Sequence, residues 1–111
     1  MDKRIQIILH ELKVELHDLY KGRLKRLILF GSYATGKMHK DSDIDLVILS
    51  KDFKRMGTDR RFNLLYHARE NPKTWKIGMD IFGFTPEEFT AASPLTTLGE
   101  VKETGITIFP E

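Results

Sequence analysis

The sequence contains no cysteine. Disulfide bonds, thiolate metal sites and a catalytic thiol are therefore excluded. Its apolar runs also fall far short of the roughly 18–20 residues that a membrane-spanning helix needs. The charged start of the chain is not followed by an apolar run of the signal-peptide type. We therefore expect a cytoplasmic protein that makes no use of a membrane.

A large excess of one charge is missing as well. The 18 Lys and Arg residues are nearly balanced by 16 Asp and Glu residues, which gives a formal net charge of +2. Because long nucleic-acid strands need a basic excess to neutralise their phosphates, nucleic acid is not implied as the main partner. The 111 residues, 41% of them hydrophobic, are expected to form one domain, residues 1–111, around one modest core.

The most informative stretch lies between two short apolar runs, LILF and LVIL, which are typical of buried strands. A turn made of Gly31 and Ser32 leaves the first strand, and Asp43 and Asp45 enter the second. Because side chains alternate along a strand, both carboxylates should face the same way, with their Cα atoms about 6–7 Å apart. This stretch is predicted to be a site for phosphate and metal.

The rest of the chain alternates helical and strand patterns. The predicted elements are a helix over 3–20, a strand over 25–30, a short helix or tight loop over 32–38, a strand over 44–50, a helix from 59 to about 70, a strand over 75–84, a helix that begins with a capping box at Thr85, a helix from Ser93 and Pro94 to about 103, and a strand over 106–109. This order predicts a small mixed β-sheet with helices packed on it, an α/β or α+β domain.

Two details of this pattern can be tested. The helix that starts near residue 59 is expected to bury Phe62, Leu65 and Tyr66. Asp80 lies in the middle of an otherwise apolar strand. Because a buried carboxylate without a partner is rare, Asp80 needs a functional or electrostatic explanation.

Three carboxylates, Asp43, Asp45 and Asp80, therefore lie on two predicted strands and can share one pocket if those strands are neighbours. Crowded carboxylates raise one another's pKa values, and a bound divalent cation relieves this repulsion. Oxygen ligands select Mg²⁺, with Mn²⁺ as a substitute. Two such ions about 3.5–4 Å apart would activate an attacking hydroxyl and stabilise a leaving phosphate.

The turn at Gly31 and Ser32 supplies a second element of the same chemistry. Glycine allows the backbone to approach a phosphate closely, and backbone N–H groups in such a turn can bind an anion. The serine hydroxyl adds one more donor. Since phosphoryl-type transfer depends mostly on positioning and charge stabilisation, a phosphate cradle beside a metal site favours that chemistry.

The combined pattern resembles a known family. Gly31-Ser32, ten intervening residues and then Asp43-Ile44-Asp45 are similar to the signature of the minimal nucleotidyltransferases, in the DNA polymerase beta-like superfamily. Asp80 stands where that family carries its third carboxylate. The resemblance covers nearly the whole chain and implies the nucleotidyltransferase fold.

The resemblance also implies roles for these residues. Asp43, Asp45 and Asp80 would be the catalytic, metal-binding carboxylates for two Mg²⁺ ions. Gly31 and Ser32 would hold the β- and γ-phosphates of a nucleotide, usually ATP. A nucleoside monophosphate, usually AMP, would pass to an acceptor hydroxyl as pyrophosphate leaves. Many relatives carry arginine at the position of Thr35, so a cation near the triphosphate is either missing in this chain or supplied by Lys37 or Lys40.

The same resemblance suggests a partner. Small stand-alone members of the family often pair with an all-helical HEPN-family protein in a toxin–antitoxin system. The nucleotidyltransferase then adds AMP to a tyrosine of the toxin, or blocks the toxin by binding alone. A chain of 111 residues has no room for a separate substrate domain, which agrees with a protein acceptor.

Two alternatives remain open from the sequence. The chain is a binding module whose carboxylates are not used in neutralising the toxin, or it transfers a nucleotide to a small molecule. The second alternative needs an acceptor pocket, which a domain of this size provides poorly unless it forms a homo-oligomer. A simpler interpretation of the aspartates and the Gly-Ser pair, ordinary turn chemistry, does not account for their spacing.

Overall fold

The computed structural model describes residues 3–20, 23–38, 43–67 and 78–110. Its elements follow the predicted order. They are helix α1 (Lys3–Tyr20), strand β1 (Arg26–Phe30), helix α2 (Ser32–Thr35), strand β2 (Ile44–Leu49), a 3₁₀ turn (Lys51–Phe53), helix α3 (Thr58–His67), strand β3 (Met79–Phe84), helices α4 (Pro86–Ala91) and α5 (Thr97–Thr104), and strand β4 (Ile106–Phe109).

The four strands form one mixed sheet in the order β3-β2-β1-β4. Strand β1 pairs antiparallel with both β2 and β4, whereas β2 pairs parallel with β3. A parallel pair needs a crossover, and helix α3 lies in that connection. The expected mixed sheet with packed helices is confirmed.

Strand β2 is buried on both of its faces. Ile44, Leu46 and Ile48 lie in the larger core cluster, which α1 and α3 cover, while Val47 and Leu49 lie in a smaller cluster with residues of α4 and α5. The alternation predicted for this strand is therefore present. In the described residues, no helix is long and apolar enough to span a membrane.

Helix α3 buries less than its sequence suggested. Leu65 is buried as expected, but the side chains of Phe62 and Tyr66 are 62% and 65% exposed and stack on each other with ring centroids 6.3 Å apart. The expectation that Phe62 and Tyr66 are buried was wrong, because only one edge of this short helix faces the sheet. Residues 68–77, which include the predicted helix end and the start of the predicted third strand, lie outside the described residues.

Helix α5 begins four residues later than the predicted start at Ser93. The carbonyl of Ser93 accepts hydrogen bonds from the backbone N–H and the hydroxyl of Thr96, so this segment forms a turn. Thr96 then caps α5 by accepting from the backbone N–H of Gly99. A side chain at Gly99 would collide with the carbonyl of Ser93, so the turn packs directly against the helix. The capping box at Thr85 is present as predicted.

Arg61 ties α3 to the end of the sheet. Its guanidinium donates to the backbone oxygens of Met56 (2.9 Å), Phe53 (2.9 Å) and Gly83 (3.0 Å), and to the carboxylate of Glu88 (2.8 Å). The arginine side chain is only 14% exposed. One buried cation therefore joins the 3₁₀ turn, α3, β3 and α4.

Glu88 remains charged in this arrangement. Its partial burial alone would raise the pKa of its carboxyl group, but hydrogen bonds from the Thr85 backbone N–H and from Arg61 outweigh burial and hold that pKa below its usual value. The carboxylate thus compensates the guanidinium and completes the cap of α4 at the same time.

Replacing Arg61 with methionine should lower the free energy of unfolding by about 2–4 kcal/mol, because three carbonyls and one carboxylate lose their donor at once. Urea unfolding followed by circular dichroism measures this change. Arg60→Met is the matched control, since Arg60 is exposed, and it should change stability by no more than about 0.5 kcal/mol. Equal losses in the two variants would contradict the structural role of Arg61.

Candidate functional site

The first part of the site is the turn between β1 and α2. Gly31 has φ = 72°, a left-handed conformation that favours glycine. Its carbonyl accepts hydrogen bonds from the backbone N–H groups of Ala34 and Thr35, both at 3.1 Å. The turn thus brings the chain sharply away from the end of β1. Among the described residues, no hydrogen bond involves the hydroxyl of Ser32.

The sheet places two of the three expected carboxylates side by side. In the parallel pairing of β2 with β3, Asp45 lies directly opposite Asp80. On its other side, Asp45 lies opposite Phe30, the residue before Gly31. The turn, Asp45 and Asp80 therefore form one row across three neighbouring strands. From the sequence, this row was predicted only if the strands that carry Asp45 and Asp80 are neighbours. The structure shows that they are.

Asp43 lies just before β2, and Ile44 between the two aspartates is fully buried in the core. The carboxylate of Asp43 rests against Gly78, where a Cβ atom would collide with it. Likewise, a Cβ atom at Gly31 would collide with the carboxylate of Asp45. Two glycines, one just after β1 and one just before β3, thus leave the space that the two carboxylates occupy.

The acids influence one another. Burial, the negative charge of Asp80 and the negative charge of Asp43, in this order of size, raise the pKa of Asp45. Asp45 is half-buried, whereas Asp43 and Asp80 are exposed. The expectation that Asp80 is a buried acid in need of a partner was therefore wrong, because Asp80 lies near the start of β3, where the described residues leave its side chain exposed. Its closeness to Asp45 is what makes Asp80 notable.

The chemistry of these side chains suits a hard divalent cation. All three offer only oxygen ligands. Burial and then repulsion by Asp80 and Asp43 raise the pKa of Asp45, as expected for a cluster that a cation would stabilise. Among the described residues, however, no three acidic or histidine side chains are gathered as a complete metal site. Asp43 leans towards Gly78 and Asp45 towards Gly31, so side-chain rotation is needed before they can share an ion.

The expected cation near the turn is less well supported. Thr35 is exposed, and its hydroxyl donates to the carbonyl of Gly31 at 3.2 Å. Lys37 is exposed just after the turn, and its backbone N–H donates to the carbonyl of Ser32. Lys40, the alternative to Lys37, lies outside the described residues. Lys37 therefore remains the candidate within the described chain.

Sequence reasoning missed Gly78 as a member of the site. It appeared only as one residue of a predicted strand, and the contact with Asp43 depends on the pairing of β2 with β3. The signal available in the sequence was a glycine two residues before Asp80. Phe30 and Phe82 were also missed as a pair; their rings lie 6.1 Å apart on the face that carries Asp45 and Asp80.

Comparison with known protein families gives a match over most of the chain. The nucleotidyltransferase domain matches residues 9–93, a span that includes the turn and all three carboxylates. A predicted protein adenylyltransferase from Methanocaldococcus jannaschii is 33% identical over 76 residues, which are 62% of this chain and 77% of that protein. A second predicted protein adenylyltransferase from the same organism is 53% identical over 34 residues, 31% of this chain and 34% of that protein.

Solved structures show the same fold. A predicted nucleotidyltransferase from Sulfolobus solfataricus superposes with a TM-score of 0.61 at 17% identity and covers 96% of this chain and 86% of that one. A toxin–antitoxin complex with AMP-PNP superposes with a TM-score of 0.59 at 23% identity and covers 87% of this chain and 69% of that one. The toxin–antitoxin MntA–HpeT, in a mutant with two Asp-to-Glu substitutions two positions apart, superposes with a TM-score of 0.60 at 21% identity. It covers 89% of this chain and 70% of that one.

Asp45→Asn should make the metal-free protein more stable at neutral pH, with a melting temperature about 2–4 °C higher, because it removes a charge that its neighbours disfavour. The raised pKa means that the folded state holds this proton more tightly than the unfolded chain. The charge penalty is therefore absent at low pH, grows as the pH rises through the unfolded pKa, and is complete above the folded pKa.

Melting temperatures of wild type and variant between about pH 3 and pH 7, measured with a chelator present, test this expectation. The two curves should meet in acid and separate towards neutral pH. A variant that is less stable than wild type at neutral pH would show that the ionised carboxylate makes favourable contacts instead.

Proposed function

Since the chain belongs to the nucleotidyltransferase domain family, we propose that it transfers AMP from ATP to a hydroxyl group of a partner protein, with Mg²⁺ as the cofactor. The observation that carries this proposal is the row across three strands, in which the Gly31 turn, Asp45 and Asp80 follow one another. We take residues 1–111 as one nucleotidyltransferase domain. A relative at 33% identity that is a predicted protein adenylyltransferase supports AMP as the group and a protein as the acceptor.

The order of the row suggests how the substrates lie. Gly31 and Ser32 would bind the β- and γ-phosphates, with Lys37 as the nearby positive charge. The α-phosphate would then lie near Asp45, and the acceptor hydroxyl near Asp80. Asp43, Asp45 and Asp80 would hold two Mg²⁺ ions, and Mn²⁺ would be the substitute metal. When bound, the metal would neutralise phosphate charge and lower the pKa of the acceptor hydroxyl.

The transfer replaces one phosphorus–oxygen bond with another. The acceptor oxygen forms a bond to the α-phosphorus, and the bond from that phosphorus to the oxygen bridging to the β-phosphate breaks. Pyrophosphate leaves on the side of the Gly31 turn. The proton of the acceptor hydroxyl passes to the carboxylate of Asp80, which is exposed and so can release it to water. The protein acts mainly by positioning these groups.

For the acceptor, we propose a tyrosine of an all-helical HEPN-family toxin, which makes this chain the antitoxin. The family resemblance of the sequence supports this partner, and two structures with the same fold are toxin–antitoxin complexes. A second candidate, neutralisation by binding alone, is favoured by one observation. Thr35 stands where many relatives carry arginine, and it offers no positive charge to a triphosphate.

Asp43→Asn should lower AMP transfer by at least about 100-fold, because one oxygen ligand for the cation is lost where charge develops. The measurement uses radiolabelled ATP, Mg²⁺ and the purified partner toxin. Asp59→Asn, at an exposed acid in the first turn of α3, is the control and should retain transfer. If Asp43→Asn is folded and still transfers AMP at the wild-type rate, the proposed mechanism is wrong. If it loses transfer but still protects cells from the toxin, binding alone accounts for neutralisation.

Gly78→Ala should lower AMP transfer by about 10–100-fold, because its Cβ takes the space of the Asp43 carboxylate and moves it. Gly78 is exposed, so the free energy of unfolding should change by no more than about 0.5 kcal/mol. Gly57→Ala is the matched control, since no atom lies within 4 Å of a Cβ placed there. Equal transfer by the two alanine variants would show that Gly78 does not position Asp43.

A further inference from the structure

An apolar cavity of about 320 Å³ lies on the same face of the sheet as the carboxylates. Phe30, Phe82 and Phe84 line it from the strands, and Leu98 and Val101 line it from α5. The smaller core cluster fills the far end of this face, whereas Phe82, which lies nearer the carboxylates, is exposed among the described residues. The sheet face is thus divided into an acidic row, an apolar cavity and a closed core.

The cavity is continuous with the acidic row. Phe30 is the cross-strand neighbour of Asp45. Phe82 follows Asp80 by two residues, so it points to the same face about 6.5–7 Å further along β3. The side chain of Phe82 is 46% exposed, although it is a large apolar group. An exposed aromatic ring beside a charged site is a frequent mark of a binding surface.

The polarity of the cavity lining favours a phenol ring over a purine base as the occupant. Of the described residues that line the cavity, Thr97 alone has a polar side chain. A purine base has ring nitrogens and an amino group around its edge, which these walls would leave without partners. A phenol ring has one polar atom, at its tip, and the acidic row lies just beyond the cavity.

We propose that this cavity is the acceptor subsite: it holds the aromatic ring of a tyrosine side chain against Phe30 and Phe82, and the phenol oxygen lies at the row of Asp45 and Asp80. The assignment of this subsite to the acceptor rests on the nucleotidyl transfer proposed above. It goes further in placing the acceptor ring between β3 and α5 and in excluding the adenine of ATP from that space. It also disfavours anionic small molecules as acceptors, because none of the described residues that line the cavity carries a charge and the neighbouring row is acidic.

A binding measurement tests the subsite without any turnover. The protein is labelled at its Val and Leu methyl groups and titrated with N-acetyl-tyrosinamide in the presence of Mg²⁺ and a non-hydrolysable ATP analogue. The methyl signals of Val47, Leu98 and Val101 should shift, and N-acetyl-serinamide should leave them unchanged. If adenosine shifts these signals and N-acetyl-tyrosinamide does not, the cavity is a nucleoside site and the proposal is wrong. It is equally wrong if neither compound shifts them.

A variant that fills the cavity gives a second test. Thr97 is exposed at the start of α5, so Thr97→Trp can place its indole in the cavity without removing a core side chain. It should raise the KM for a tyrosine-containing acceptor by at least about tenfold and leave the KM for ATP within about twofold. Leu95→Trp is the matched control, because Leu95 is 96% exposed and does not line the cavity. A raised KM for ATP alone would overturn the assignment.

The proposed AMP transfer and the proposed tyrosine subsite can be tested independently of each other. If the wild-type protein transfers AMP to no hydroxyl but the methyl signals shift with N-acetyl-tyrosinamide, the proposed function fails and the cavity still binds a phenol. If transfer to a tyrosine proceeds and the methyl signals do not respond, the function stands and the subsite is elsewhere. The methyl measurement on the wild-type protein does not depend on whether Thr97→Trp folds.

Discussion

The repulsion among Asp43, Asp45 and Asp80 is the constraint on which the rest of the structure depends. Parallel pairing holds Asp45 opposite Asp80, and burial together with the nearby charges of Asp80 and Asp43 raises the pKa of Asp45. The site therefore costs folding free energy rather than supplying it. Asp45 lies near the start of β2, while the remainder of that strand is buried on both faces. The most buried strand of the sheet thus carries the central acid of the three, and the apolar residues of that strand offset the repulsion.

Packing space rather than hydrogen bonding fixes where these carboxylates lie. Asp45 rests against Gly31 and Asp43 against Gly78, and each contact exists because the glycine has no side chain. A carboxylate held by contacts of this kind can rotate towards a cation at little cost. A buried network such as that of Arg61 is different, because its four hydrogen bonds fix the guanidinium in one position. The structure is thus rigid at the far end of the sheet and adjustable at the acidic end.

Patterns that are local in the sequence predicted most of the fold. Alternation along β2, the spacing of apolar residues in α1 and the capping box at Thr85 each involve residues close together in the chain, and the structure confirms them. The burial of Phe62 and the start of α5 were wrong because both depend on distant neighbours. Which edge of α3 meets the sheet, and where the turn before α5 packs, cannot be derived from periodicity alone.

The candidate site shows the same division. The spacing from Gly31 to Asp45 is local, and it indicated the phosphate and metal chemistry directly. That Asp80 lies opposite Asp45, that Gly78 makes room for Asp43 and that Phe30 lies near Phe82 all follow from strand order, which the sequence does not state. These non-local relations place the Gly31 turn, Asp45 and Asp80 in one row, and the proposed function gives this row a direction, from a phosphate side to an acceptor side.

The apolar cavity beside the acidic row affects how the proposed acceptor is recognised. In the proposed subsite, the apolar cavity contacts only the side-chain ring of the acceptor, so it can orient that ring but offers little binding free energy. Transfer to a free phenol should therefore be slow at ordinary concentrations. A protein acceptor can supply the missing binding free energy through contacts elsewhere on its surface and use it to hold the ring at the carboxylates. Recognition through one side chain alone thus favours, for the proposed subsite, a protein acceptor over a small molecule.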